Sequence, residues 1–146
     1  MKKTELLAPA GNMEKLKTAF FYGADAVYLG GPFWGLRAQA GNFSHNELEE
    51  AVKYAHERDK KVYVTVNIYA NDHDFDGLDK YLQYLYDINV DAVIISDLGV
   101  MTYAKEKAPK LPIHISTQAN IINSYAATTY HHLGAERVIL GRELSL

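Results

Sequence analysis

The sequence predicts an α/β fold: the first six β/α units of a (β/α)₈ barrel, with parallel strands, over residues 1–146. Three observations predict it. Short β-rich runs alternate with helical periodicity along the whole chain, the pattern of repeated right-handed βα crossovers. The clearest strands put apolar residues on one face and polar residues on the other. The first strand–helix turn, Ala8-Pro9-Ala10-Gly11-Asn12, lacks the glycine fingerprint that opens a dinucleotide-binding open sheet.

The first strand is Glu5 to Ala8, stopped by Pro9-Ala10-Gly11. Asn12 is placed to cap a helix whose Met13, Leu16, Ala19 and Phe20 share one face, and Gly23 ends it. Asp25 to Gly30 is strand two, followed by a long glycine-rich loop. Ser44 and Glu47 have the spacing of a capping box, opening a helix with Leu48, Ala51, Val52 and Ala55 on one side. Lys61 to Asn67 is a β-branched, alternating strand three. An Asn71-Asp72-His73-Asp74 loop leads to a helix with Leu78, Leu82 and Leu85 inside. Asp91 to Asp97 is strand four, Leu98 to Lys107 a short helix, Pro112 to Thr117 strand five, and Ser124 to Leu133 the next helix. Gly134-Ala135 turns the chain into strand six, Arg137 to Leu140. A helix end, often glycine, then a small or acidic residue, then a valine-rich strand recurs at residues 23–27, 90–93 and 134–138, a shared solution for αβ turns.

The strand faces separate a barrel from an open sheet. Val62, Val64 and Val66 share one face of strand three, and Tyr63, Thr65 and Asn67 the other; Ile113 and Ile115 oppose His114, Ser116 and Gln118. Central strands of an open sheet are apolar on both faces, because helices cover both. A polar inner face suits a barrel lumen, where side chains bond one another. A barrel of this type needs eight units and typically ~250 residues. The expectation is therefore a single incomplete barrel domain, with strand edges open to the rest of the polypeptide or to another copy.

Composition excludes several function classes. The chain is 48% hydrophobic with a net charge of -3, as a globular domain is, and its basic residues form no nucleic-acid stripe. No apolar run approaches the ~20 residues of a membrane span, and no secretory leader is visible, so the default location is cytoplasmic. Without cysteine, this segment alone cannot form disulfides, zinc–thiolate sites or an iron–sulfur cluster, and cannot perform thiol catalysis. No Gly-x-Ser-x-Gly elbow or His-Glu-x-x-His helix occurs.

The runs ELLAPAGNMEKLKTAFFYGADAVYLGG, LRAQAGNF, KVYVTVNIY, VDAVIISDLGV, LPIHISTQAN and RVILGRELSL, in this order, resemble the collagenase-like peptidase family of unknown catalytic type, peptidase family U32. The resemblance implies the amino-terminal barrel portion of a longer protein whose cysteine-rich region lies beyond Leu146. The leading expectation it carries is proteolysis of a peptide substrate, by a mechanism unknown, with this segment inactive without the cysteine-bearing part. The family also contains members that look like iron–sulfur-dependent enzymes hydroxylating tRNA or rRNA bases, or a quinone precursor. That gives the alternative expectation: RNA as partner, and a cluster in the full-length protein but no cofactor in this segment. A third reading is a non-enzymatic, self-associating scaffold.

Barrel enzymes place their chemistry at the carboxyl ends of strands and in the loops that follow. That rule selects Asn67, Asp97, Gln118, Arg142 and Glu143, with Arg37 from the long loop after strand two. Asn67 and Gln118 can orient a substrate amide or carboxylate through paired donor and acceptor. Arg37 and Arg142 can clamp a carboxylate or phosphate. Asp97 or Glu143 can serve as a general base if burial raises its pKa. Each has a structural alternative: Asp97 as a helix cap, Arg142 and Glu143 as an ion pair, His114 as a core histidine between isoleucines. His131 and His132, ~100° apart on a helix, do not present one metal site. The Asn71–Asp74 loop lacks the glycine spacing of a calcium loop.

Overall fold

Four of the five αβ turns end on a residue in the left-handed backbone region, and these turns set the geometry of the chain. The computed structural model describes residues 4–36 and 41–145. The elements run β1 (Leu7–Pro9), α1 (Met13–Phe21), β2 (Ala26–Gly30), α2 (His45–His56), β3 (Lys61–Thr65), α3 (Leu78–Asp87), β4 (Ala92–Ile95), α4 (Leu98–Lys107), β5 (Ile113–Ile115), α5 (Ser124–His132) and β6 (Arg137–Val138). Short 3₁₀ turns lie at Asp72–Phe75 and Thr117–Ala119. Gly23, Asp59, Asn89 and Gly134 follow α1, α2, α3 and α5 with φ of 98°, 55°, 63° and 101°. In each turn the next residue donates its N–H five residues back: Ala24 to Ala19, Lys60 to Ala55, Val90 to Leu85 and Ala135 to Tyr130. This is the Schellman closure, which satisfies carbonyls orphaned at a helix end. The recurring pattern read in the sequence is this turn. It delivers an acidic residue at the foot of the next strand, where Asp25 accepts the Leu6 N–H and Asp91 the Val62 N–H.

Helix starts are as local as their ends. Asn12 Oδ1 accepts the Lys15 N–H, and Ser44 and Glu47 form the reciprocal capping box. The Glu47 carboxyl is held below its ordinary range by the Ser44 backbone N–H it accepts. Leu48, Ala51, Val52 and Ala55 are buried on one side of α2, as are Leu78, Leu82 and Leu85 on α3.

All strands are parallel and their spatial order is β1-β2-β3-β4-β5-β6, with no reversal. A doubly wound sheet reverses its order near the middle. The outward residues Val27, Leu29, Val62, Val64, Val66, Val93, Ile95, Ile113 and Ile115 pack with the helices in one core. Ala26, Tyr63, Ala92 and Ile94 form a second, inner cluster with Leu7 and Ile139. Laid flat, six strands would hold β1 and β6 ~24 Å apart. Instead Arg137 of β6 donates to Glu5, just ahead of β1, at 2.6 Å. The sheet is curled into a partial (β/α)₈-type barrel, as the strand faces predicted. All six strands are shorter than the sequence suggested, and β1 runs on to Pro9, whose missing N–H is no loss on an edge strand.

Candidate functional site at the carboxyl end of the strands

Asn67 lies two residues beyond the end of β3, in phase with Tyr63 and Thr65, so it faces the lumen side. Gln118 sits in the 3₁₀ turn after β5, a turn capped by Ser116, whose Oγ accepts the Gln118 N–H at 3.3 Å. These two loops meet: Asn67 Nδ2 donates to Gln118 Oε1 at 3.0 Å. Ser116 Oγ donates to the same Gln118 oxygen at 3.3 Å. The Leu36 N–H donates to Asn67 Oδ1 at 3.2 Å, which fixes the orientation of the amide. Ser96, in phase with Ala92 and Ile94, donates its hydroxyl to the Asn67 carbonyl at 3.2 Å. The segments that follow β2, β3, β4 and β5 are thereby tied into one half-buried polar network. The same alternation runs through Ser116, already on the polar face of strand five in the sequence, and through Ser96, which was not singled out in the sequence.

The other residues selected from the sequence do not join this network. Asp97 caps α4, its Oδ1 accepting the Val100 N–H at 2.8 Å. Arg142 and Glu143 are exposed in the loop after β6, and no ion pair joins them among the described residues. Arg37 lies outside the described residues. His131 and His132 are exposed, with rings 6.2 Å apart and tilted. The Asn71–Asp74 stretch forms its own turn, the Asn71 N–H donating to Asp74 Oδ2 at 2.7 Å.

A second polar cluster lies in the lumen at the amino-terminal ends of the strands. The Glu5 carboxylate accepts from Tyr63 Oη at 2.9 Å and from Arg137 Nη1 at 2.6 Å, with Lys61 Nζ 3.7 Å away. Burial works to raise the Glu5 pKa, but the hydrogen bonds from Arg137 and Tyr63 outweigh it and hold the carboxyl below its usual range. Tyr63 is pushed up to about 12 by burial and by its bond to Glu5. The His114 ring packs edge-on against Tyr63 at 4.6 Å and is buried, so it is the core histidine its isoleucine neighbours suggested. In barrel enzymes this end governs stability, and chemistry belongs to the other. Among the described residues no group of three or more His, Cys, Asp or Glu side chains could hold a metal ion. No helix among them is long and apolar enough to cross a membrane.

The sequence profile of peptidase family U32 matches residues 11–146. The tRNA hydroxylation protein P1 of Bacillus subtilis (strain 168) is 46% identical over 144 residues, covering 99% of this chain and 34% of that protein. An uncharacterized protease of Methanocaldococcus jannaschii is 46% identical over 146 residues, 100% of this chain and 35% of that protein. The 23S rRNA 5-hydroxycytidine C2501 synthase of Escherichia coli (strain K12) is 35% identical over 144 residues, covering 99% of this chain and 21% of that enzyme. The chain thus spans about a third or less of the length of these relatives. Among solved structures, the U32 peptidase Mk0906 superposes with a TM-score of 0.76 at 18% identity, covering 94% of this chain and 58% of that one, a likeness of fold.

These relatives correct one expectation. The leading reading from the sequence, a segment of a collagenase-like peptidase, took its activity from the family's name. Close relatives are named instead for hydroxylation of tRNA and of 23S rRNA. The peptidase, protease and hydrolase readings are overturned by those names, and no protease motif in the residues stands against the correction. What the profile match over residues 11–146 does show is that the chain belongs to peptidase family U32.

Proposed function

We propose that this chain is the barrel portion of an RNA-hydroxylating protein and that the Asn67–Gln118 pair holds the substrate base. The likeness to relatives named for tRNA and rRNA hydroxylation supports the reaction class. The observation that carries the site is the direct amide–amide bond at the carboxyl end of the strands. Asn67 Oδ1 is taken by the Leu36 N–H, and Gln118 Oε1 by Asn67 and Ser116. Among the described residues, that leaves both Gln118 Nε2 protons and one Asn67 Nδ2 proton without a protein acceptor. Amide donors held in this way suit the carbonyl and ring-nitrogen acceptors on the edge of a pyrimidine splayed from single-stranded RNA. The acidic overall charge suits base recognition more than backbone affinity.

The residues present do not fit an iron–sulfur cluster. The chain has no cysteine, and the described residues contain no alternative ligand set. A cluster of the kind the family resemblance implies would take its thiolates from polypeptide outside these 146 residues. The part assigned to this chain is therefore to bind and orient the base, in the cytoplasm where tRNA and ribosomes are reached. The edges of β1 and β6, unpaired among the described residues, are where further polypeptide or a second copy would complete the lumen.

The test is binding of a pyrimidine-rich single-stranded RNA, followed by fluorescence polarisation. Gln118→Ala removes the free donors, and Asn67→Ala removes the support that orients them. Each is expected to weaken binding about tenfold, the effect of losing one or two hydrogen bonds. Nucleosides from cells lacking the gene should correspondingly lose a hydroxylated pyrimidine by mass spectrometry. Unchanged affinity in both variants, with an unchanged nucleoside profile, would remove the reading.

A further inference from the structure

At the carboxyl end of the strands, between the starts of α2 and α3, is an aromatic recess of about 320 Å³. Its walls are Phe33 and Trp34 from the loop after β2, His45 at the start of α2, and Lys80, Tyr81 and Tyr84 from the first turns of α3. The rings are ordered against one another. Trp34 stacks on Tyr81 at 5.0 Å, Tyr81 on Tyr84 at 6.3 Å, and Phe33 meets Trp34 edge-on at 5.6 Å. The Trp34 indole N–H donates to the Asp74 carbonyl at 2.7 Å, and Tyr84 Oη to the His45 carbonyl at 2.9 Å. Phe33 is left 51% exposed at the mouth.

Several local conformations are unfavourable in themselves and are kept to build this recess. Trp34 has φ of 54°, in the left-handed region that a bulky residue rarely enters. A side chain at Gly31 would collide with the Tyr81 hydroxyl, so only glycine lets Tyr81 seat there. That hydroxyl is buried with no hydrogen-bond partner, and burial raises its pKa. Strain and unsatisfied groups of this kind concentrate where a ligand is bound.

We infer that this recess is a second nucleotide subsite, stacking a base next to the one held by Asn67 and Gln118, with Lys80 facing its phosphate. Flat aromatic walls suit the π-face of a base. Lys80 selects among flat ligands: it is exposed at the rim and makes no ion pair among the described residues, so it disfavours a cation in the cage and favours an anionic substituent. One loop joins the two subsites. Trp34 lines the recess and its carbonyl accepts the Ile68 N–H, while two residues on, Leu36 bonds to Asn67. At most ~7 Å of chain separates Trp34 from Leu36.

This inference rests on the RNA reading above, and the single tryptophan lets the two be tested apart. Trp34 emission is recorded while the 146-residue chain is titrated with oligouridylate, uridine monophosphate and uridine. Quenching by all three is expected, weakened about tenfold or more by Phe33→Ala, an exposed residue outside the amide site. Lys80→Gln should weaken the monophosphate but not the nucleoside. If RNA binds by polarisation and depends on Gln118 but leaves Trp34 emission unchanged, the recess inference fails and the amide site stands. If Trp34 is quenched in a Phe33-dependent way while Asn67→Ala and Gln118→Ala bind normally, the amide site fails and the recess stands. A recess that holds an apolar side chain of a partner protein gives neither the quench nor the Lys80 dependence. No binding in either assay overturns both.

Discussion

At the scale of single residues, the lumen shows how one buried imidazole shapes the response to acid. His114 is 2% exposed, and its Nδ1 has no hydrogen-bond partner. Burial first, and then the positive charge of Arg137, lowers its pKa from 6.5 to about 4. Between those values the unfolded chain binds a proton that the folded chain does not, so stability falls as the pH drops through that window. The loss comes to ~3 kcal/mol. Glu5 acts with the same sign but lower down: its depressed carboxyl stabilises the fold above the ordinary value of 4.5, and that contribution is lost as pH falls through the lowered folded value. Urea unfolding at pH 7 and pH 5 separates the two. His114→Leu should flatten the pH dependence in this range, whereas Glu5→Gln should leave it. An unchanged slope in His114→Leu would mean that the imidazole takes up its proton in the folded chain at the same pH as in the unfolded one. The amide site needs no such titration, since Asn67, Gln118, Ser96 and Ser116 are neutral at every relevant pH.

At the scale of elements, the repeated αβ turn provides a graded test. Gly23 and Gly134 hold the same left-handed position, but a side chain at Gly23 would meet open space, whereas one at Gly134 would lie 2.5 Å from Lys105 Cε. Gly23→Ala should cost ~1 kcal/mol for backbone conformation alone, and Gly134→Ala more, unless Lys105 swings aside freely. Asp59→Gly should stabilise by ~0.5–1 kcal/mol, because it relieves the same backbone cost. Thermal unfolding of the three variants checks the order; a destabilised Asp59→Gly would show that this aspartate has a role beyond the turn. The same turns explain what the sequence disclosed. Helix bounds were legible because Asn12, Ser44 with Glu47, and Asp97 cap through bonds three residues long. The lumen face was legible from alternation through Tyr63, Thr65 and Asn67. The recess was not, because Phe33 and Trp34 meet Tyr81 and Tyr84 only after β3 and its connections fold between them. Glu5 and Arg137 are 132 residues apart, beyond the reach of any local pattern. The proteolytic expectation failed for another reason: it came from a family label, and no residue carried it.

At the scale of the whole molecule, the six-stranded order leaves β1 and β6 each paired on one side only among the described residues. Closed barrels avoid this, because an unpaired edge is a template for another strand. Apolar side chains stand beside both edges: Leu6 is 55% exposed next to β1 and Leu140 is 49% exposed beyond β6. Tyr28, on the lumen face of β2, is still 38% exposed, so the interior is open to water between those edges. The Glu5–Arg137 bond spans the lumen at one end, but a single partly exposed ion pair does not pair two strands. The net charge of -3 offers little repulsion between copies. The chain alone should therefore self-associate, with a mass by light scattering above 16.4 kDa that rises with concentration. Because apolar surface and backbone pairing drive it, added salt should not disperse it. Leu6→Lys with Leu140→Lys places charges at both edges, the device natural sheets use against edge pairing, and should shift the chain to monomer with its helical signal unchanged. A wild-type chain that stays monomeric at every concentration would mean that water alone covers the edges, and that the barrel needs nothing further to be stable.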